Sequence, residues 1–242
     1  MVIERALIEQ LHEFETPLVS EALGAMGCPD AHLYYMGGTI RRLIDTPQPM
    51  VGVAITLEVD TSSPGRPVDS TALYDAYDSV KNWSVPAVLV IKTIGSRPDH
   101  ECVLGDGIAK ASLAAGCCGV VTDGGVRDLD RIASIGFSVF ATGPVVNHAT
   151  LVFQKPSPGI DIAGIHVRDG DLVHADHNGV HLVPADFHKS IVEACILSRD
   201  FETRAHTLCR RTDKTGKEKR QFIADLAQDH HARCRKLLEE ER

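Results

Sequence analysis

The 242-residue chain has no apolar run long enough to cross a bilayer, so no membrane partner is expected. It has no basic excess: 25 Lys and Arg stand against 33 Asp and Glu, for a net charge of −8. Broad phosphate binding needs a basic face, so no nucleic acid partner is expected, although a local basic pocket for an acidic metabolite stays open. No Gly-x-Gly-x-x-Gly follows a strand-like run, which leaves nucleotide-cofactor chemistry and methyl transfer without support. The seven cysteines form neither a disulfide framework nor a zinc pattern, and Cys117 and Cys118 are chain neighbours. Free thiols in a reducing cytoplasm are the expectation. Met1 to Arg5 lacks a basic segment followed by an apolar one, so no secretory signal is expected. Internal repeats and low-complexity tracts are absent too.

What is present is the composition of a packed globular protein, 43% hydrophobic and 24% charged. Ile3 to Phe14 carries apolar residues at helical spacing. Thr16-Pro17 reads as a cap with proline in the first turn of a second helix, through Ala25. Met50 to Val59 and Ala87 to Ile94 read as strands, with a helix over Asp69 to Trp83 between them. Asp60 to Pro67, with its structure-breaking Pro64-Gly65-Arg66-Pro67, and Gly95 to Glu101 are loops expected to shape a pocket. Phe137 to Ala141, Ile160 to Val167, Asp171 to Ala175 and Val180 to Val183 read as short strands. The pattern suits a layered α/β domain with two sheets. From Asp186 the chain turns helical, and Lys217 to Arg242 forms a charged helix. Its apolar stripe of Ile223, Leu226, Ala227 and Leu237-Leu238 is thin enough to suggest packing on another subunit; a solvated tail is the plain alternative.

The chain is organised around Gly105-Asp106-Gly107-Ile108 and Gly116 to Asp128. Ala109 to Ala115 is a helical run, with Gly116 placed just past its end. Val120-Val121 is a buried strand, and Asp123-Gly124-Gly125 a turn where backbone can approach a ligand. Arg127 and Asp128 stand at the start of a helix over Leu129 to Ile135, where unpaired N–H groups would face an anion. A guanidinium grips a carboxylate through two parallel hydrogen bonds. The adjacent acid serves the same anion only through a cation, and Mg²⁺ accepts one or two carboxylates plus waters and ligand oxygens. The plain alternative is a surface ion pair with a helix-capping Asp.

This stretch resembles the signature of the RraA-like family, which includes the 4-hydroxy-4-methyl-2-oxoglutarate and 4-carboxy-4-hydroxy-2-oxoadipate aldolases. The resemblance is carried by Gly105-Asp106, Gly116, Gly119-Val120-Val121, Asp123-Gly124 and Val126-Arg127-Asp128. It continues in Gly170 to Pro184 and in Val19-Ser20-Glu21-Ala22-Leu23-Gly24. The chain departs from the family pattern at Glu21, at Arg168-Asp169, at Asn178 and at Gly125, which replaces a common Ala. The resemblance implies a three-layer β/β/α sandwich of the swivelling phosphohistidine-domain type. That core would span residues 1–184, with its N-terminal helices, and 185–242 would be an intersubunit helical extension.

The resemblance also implies a site. Arg127 would hold the substrate carboxylate, Asp128 would bind Mg²⁺ or Mn²⁺ directly, and Asp106 would orient a metal-bound water. The backbone N–H groups of Gly107 and Ile108 would meet the substrate, and Glu202 from a neighbouring subunit would hold a further water. Asp106 as a helix cap and Glu202 as an exposed helical residue are the alternatives. The implied activity is a metal-dependent lyase cleaving a small 2-oxo acid through a pyruvate enolate, by retro-aldol cleavage or oxaloacetate decarboxylation, in a homotrimer or homohexamer. A non-catalytic regulator that binds a ribonuclease or another protein is the alternative. Elsewhere, His174, His177, His181 and Asp176 read as hairpin residues rather than metal ligands. His230, His231 and Cys234 read as surface positions, Lys92 and Lys110 as weak Schiff-base candidates, and Cys117-Cys118 as packing thiols.

Overall fold

The structure, a computed structural model, describes residues 3–61, 67–95, 97, 100–148 and 150–239. In chain order the elements are α1 (Arg5–Leu11), α2 (Thr16–Met26), β1 (Arg41–Arg42), β2 (Met50–Asp60), α3 (Thr71–Val80), β3 (Ala87–Thr93), β4 (Cys102–Leu104), α4 (Asp106–Ala115), β5 (Cys117–Thr122) and β6 (Gly125–Val126). There follow α5 (Leu129–Ala133), β7 (Ser138–Ala141), β8 (Gly143–Pro144), β9 (Val152–Gln154), β10 (Ile160–Ile162), β11 (Ile165–Val167), β12 (Leu172–Asp176), β13 (Gly179–Val183), α6 (Ile191–Cys209) and α7 (Gly216–Glu239). The chain divides into two compact units, Met1–Thr16 with His32–Pro184 and Pro17–Ala31 with Ala185–Arg242. The loop expected at 60–67 lies outside the described residues except for Asp60, Thr61 and Pro67, and the loop at 95–101 lies partly outside them.

In the first unit, uninterrupted apolar runs make a parallel sheet buried on both faces, as such runs require. β2, β3, β5 and β7 are parallel neighbours, with Ile55 opposite Leu89 and Val90 opposite Val121. Antiparallel strands β12 and β13 extend the sheet from β2, β1 closes its other edge on β7, and β9 pairs with the end of β2. One face carries α3, α4 and α5, whose Leu73, Ala76, Ala109 and Ile132 pack with Leu57, Leu89 and Val120. The other face is covered by the β10–β11 hairpin, whose isoleucines meet Val88, Val90, Val121 and Phe140. Its turn places Ala163 and Gly164 at φ of 48° and 91°, the positive pair that a two-residue hairpin demands. Hairpin layer, sheet and helices form the β/β/α arrangement.

Several boundaries tighten. The first helix ends at Leu11 rather than Phe14, and the helix after Asp128 is only five residues long. Gly125 belongs to a strand, not a turn. A Cβ on Gly124 would come within 2.7 Å of Thr93 Cγ2, and one on Gly125 within 2.6 Å of Val145 Cγ1. The close neighbour of this glycine pair is therefore protein, not ligand.

In the second unit, α6 and α7 pack together around Leu226, His230 and Cys234, buried at i, i+4 and i+8. This corrects the surface placement expected of His230 and Cys234. His230 Nε2 is 3.0 Å from Ser198 Oγ, and the imidazole stacks on Phe201 at 4.8 Å. A polar-looking helix thus gains its packing stripe because α6 supplies partners for the ring. Its start is a capping box: Thr215 N–H donates to Glu218 Oε2 at 2.8 Å, and Glu218 N–H to Thr215 Oγ1 at 3.2 Å.

Candidate active-site cleft

The site grows out of the smallest sheet in the first unit. β4, β6 and β8 run parallel, β6 in the middle. The chain therefore leaves all three at the same edge, the carboxyl end, where parallel sheets place ligands. From β4 comes Gly105-Asp106, from β6 Arg127-Asp128, and from β8 Val145-Val146. Hydrogen bonds fix their spacing: Arg127 N–H donates to Leu104 O at 3.0 Å, and Val145 N–H to Val126 O at 2.8 Å. Behind them Asp123 pins the end of β3, accepting from Thr93 N–H at 2.7 Å and its hydroxyl at 2.9 Å.

Arg127 and Asp128 face each other across a short gap, Nε to Oδ2 3.3 Å, without hydrogen-bond alignment. Nε is buried and has no acceptor. Asp128 sits in the left-handed region at φ 60° and makes no side-chain cap to α5, so the capping alternative does not hold. Its Oδ2 leans toward the start of α4, 3.5 Å from Asp106 N. Gly105 leaves room for this: a Cβ there would lie 2.9 Å from Asp128 Oδ2.

Asp106 begins α4. Lys110, one turn on, donates to its Oδ2 at 2.7 Å, and Arg131 Nη1 stands 3.8 Å from the same oxygen. The Lys110 hydrogen bond, chiefly, holds the Asp106 carboxyl below its usual range, helped by the Gly107 N–H. Asp106 therefore stays a carboxylate at neutral pH. Gly107 N–H is already engaged by that carboxylate, which qualifies its expected role as a free donor to substrate. Ile108 lies beside it in the first turn of α4, and its carbonyl accepts from Ser112 Oγ at 2.8 Å. The cleft has a volume of ≈ 780 Å³ and is lined by Arg127, Asp128 and Arg131 with Pro144, Val145 and Val146 among others. That size suits a small metabolite.

Among the described residues no three His, Cys, Asp or Glu side chains gather as a metal cage. A Mg²⁺ that keeps most of its waters needs only one or two carboxylates, and Asp128 with Asp106 fits that requirement. The buried, acceptor-less Nε of Arg127 fits an anion held beside such an ion.

Glu202 lies in the second unit, where its carboxyl hydrogen-bonds Glu21. Burial first, and then Glu202, push Glu21 up to about 7. The hairpin histidines are structural: His174 is buried between Thr16 Oγ1 and Leu11 O. Lys92 donates to the Asp161 carbonyl, and burial raises the Cys117 and Cys118 thiols to about 12, as befits packing groups. Two site residues had not been singled out for what they do here, Arg131 and Lys110 as the partner of Asp106. The Asp106–Lys110 spacing, acid four residues before base on a helix, is itself a readable pairing signal.

Comparisons with known proteins agree with this architecture. A family model described as RraA-like, Aldolase/RraA, matches residues 16–182. Protein DlpA of Legionella pneumophila is 27% identical over 205 residues, 83% of this chain, and the chain spans only 31% of that protein's length. A "Putative 4-hydroxy-4-methyl-2-oxoglutarate aldolase" of Halalkalibacterium halodurans is 26% identical over 188 residues, covering 77% of this chain and 80% of the relative. One of the same name from Albidiferax ferrireducens is 32% identical over 47% of this chain and 68% of its own. Among solved structures, an uncharacterized protein of Pseudomonas syringae pv. tomato superimposes with a TM-score of 0.69 over 92% of this chain and 96% of its own, at 22% identity. Streptomyces coelicolor RraAS2, described as an unusual member of the RNase ES inhibitor RraA protein family, gives 0.67 over 85% and 98%, at 23%. Among the described residues no helix is long and apolar enough to cross a membrane.

Proposed function

The chain belongs to the RraA-like, Aldolase/RraA family, and from that premise we propose that it is a divalent-metal-dependent lyase acting on a 2-oxo acid. One observation carries the reading: Arg127, with its buried and acceptor-less Nε, stands beside Asp128 at the carboxyl ends of β4, β6 and β8. An unpaired buried donor costs free energy unless an acceptor arrives, and a substrate carboxylate is such an acceptor. The relatives named as aldolases support the class of reaction.

Asp128 would hold Mg²⁺ or Mn²⁺, and Asp106 would bind a water beside it. The cation supplies Lewis acidity to the 2-oxo group. Arg127 holds the substrate carboxylate and fixes its register. Asp106, kept ionised by Lys110, accepts a hydrogen bond from water and so aims a proton carrier into the cleft. Retro-aldol cleavage breaks C3–C4, frees the 4-hydroxyl proton to that carrier and leaves the bonding pair with the 2-oxo fragment. Protonation at C3 then yields pyruvate. Loss of CO₂ from oxaloacetate leaves the same fragment, so one cleft serves both. Glu202, expected from a neighbouring subunit, would hold a further water there; within its own chain its carboxyl hydrogen-bonds Glu21.

The test is pyruvate release from 4-hydroxy-4-methyl-2-oxoglutarate and from oxaloacetate, with Mg²⁺ or Mn²⁺, followed by a coupled reductase. Turnover that is abolished by Arg127→Ala and by EDTA is expected. Turnover that persists in excess EDTA ends the metal-dependent reading. A folded protein with no turnover on either acid would leave the protein-binding regulator as the better account.

A further inference from the structure

Two cations already turn to Asp106. Lys110 Nζ lies 2.7 Å from its Oδ2, and Arg131 Nη1 stands 3.8 Å from the same oxygen. The Gly107 N–H engages the carboxylate as well. At the cleft and the start of α4, Lys110, Arg127 and Arg131 stand against Asp106, Asp128 and Asp130. Those charges cancel among themselves, so a divalent ion brings two that they do not offset.

One of the three cations can leave at little cost. Arg127 is fixed, its Nε buried beside Asp128. Arg131 already stands off at 3.8 Å. Lys110 is a compact, strongly hydrated ammonium on a flexible stem, and its side chain is 55% exposed. Its bond to Asp106 joins residues i and i+4 on a helix surface, a pair that is weak in water. A swing into solvent removes one positive charge from beside Asp106 and frees Oδ2 as an acceptor.

We propose that Lys110 is a tethered competitor of the divalent ion: it pairs with Asp106 when no ion is bound and withdraws to solvent when one binds. The inference rests on the reading of Asp128 and Asp106 as the groups that hold the metal. It makes the cleft a low-affinity metal site that fills with the supply of free divalent ion, rather than one with a permanent resident. Lys110 acts through Asp106 and is a positioning residue.

Metal binding tests this without turnover. The full chain, treated with EDTA and dialysed, is titrated calorimetrically with MnCl₂ and with MgCl₂ at neutral pH, as wild type, Lys110→Met, Lys110→Arg and Arg131→Met. Lys110→Met keeps the stem and loses the charge. It should bind either ion about fivefold more tightly, the scale of one exposed charge pair. Added salt should shrink that gain by screening the competing charge. Lys110→Arg keeps the charge and should stay within about twofold of wild type. Arg131→Met should gain less than Lys110→Met, because its contact is longer. Affinity in Lys110→Met equal to or weaker than wild type overturns the inference, since Lys110 would then be idle or would help Asp106 hold the ion. An equal gain in Lys110→Arg overturns it too, because charge would not be the cause. Asp128→Asn is the control and should lose the binding. Binding that survives it lies elsewhere and sinks the metal reading together with this inference, as does a folded wild type and Lys110→Met that both bind neither ion. Circular dichroism melting confirms each fold, and Lys110→Gln replaces Lys110→Met if that variant fails to fold.

Discussion

The β12–β13 hairpin and the cleft at the ends of β4, β6 and β8 use similar side chains to opposite ends. In the hairpin, Asp176 Oδ2 accepts from Thr16 N–H at 2.9 Å and Oδ1 from Asn178 N–H at 2.7 Å. His174 lies 2.9 Å from Thr16 Oγ1 and 3.1 Å from Leu11 O, both ring nitrogens engaged. His181 keeps Nδ1 against Leu182 O and leaves only a lone-pair nitrogen bare. In the cleft, Arg127 Nε is buried with no acceptor, Asp128 faces its neighbour without a hydrogen bond, and Arg131 is loosely held. Closed polar networks rigidify a fold, whereas open ones await a ligand. The contrast is between polar groups that have been used and polar groups that have not.

The sharpest way to break the comparison is Asp128→Asn. Asparagine tolerates the left-handed backbone at φ 60° as aspartate does, so the fold should be kept. Losing the charge should cut kcat/KM for pyruvate release about 10³-fold, on the scale of a removed electrostatic contact. Melting temperature within a degree or two of wild type is the expected companion result. Asp128→Ala should lose the same activity and, in addition, about 1 kcal/mol of stability to the left-handed position.

The hairpin should answer the other way, in stability rather than turnover. Burial holds the His174 imidazole down at about 4. The unfolded chain binds a proton near 6.5 and the folded one near 4, so stability is full above pH 6.5 and is lost as pH falls toward 4. The loss from this group is about 3 kcal/mol. His174→Gln should be less stable at pH 7 and show a flatter pH dependence between 6.5 and 4 in urea unfolding. An unchanged slope would mean that the ring is not the titrating group.

How much of this the residues disclosed depends on distance along the chain. Arg127 and Asp128 are adjacent and Asp106 opens a helix, so three residues of the candidate site were visible in two short stretches. The long strands were visible as well, because runs such as Ala-Val-Leu-Val-Ile leave few alternatives. β6 and β8 were not, since two residues carry no period, and they are strands only because each lies beside another. The Gly124–Gly125 pair signalled close approach correctly, but not that the neighbours are Thr93, Val103 and Val145. Nor could the burial of His230 be read from α7, because Ser198 and Phe201 on α6 create it.

Gly105 tests whether the cleft is open by design of its floor. Its backbone is extended at φ −123°, so alanine is tolerated by the chain itself. The new methyl would come within 2.9 Å of Asp128 Oδ2 and displace it. Gly105→Ala should lower kcat/KM about tenfold with little change in melting temperature, a misplacement effect. A variant with full activity would show that the position of Asp128 is not set by this glycine.

The smallest effect belongs to a polar pair between the two extremes. Glu21 and Glu202 are half-exposed and joined carboxyl to carboxyl, which works only while a proton is shared. Folded Glu21 keeps its proton to about 7, whereas the unfolded chain releases it near 4.5. The pair therefore stabilises fully below pH 4.5, and its contribution fades as pH rises through 7. Gln at position 21 can donate to Glu202 at every pH. Glu21→Gln should accordingly match wild type at pH 5 and exceed it at pH 8 by less than about 1 kcal/mol, water screening the rest. If the two proteins lose stability in parallel from pH 5 to 8, the shared proton is absent, and this pair joins the hairpin among networks already closed.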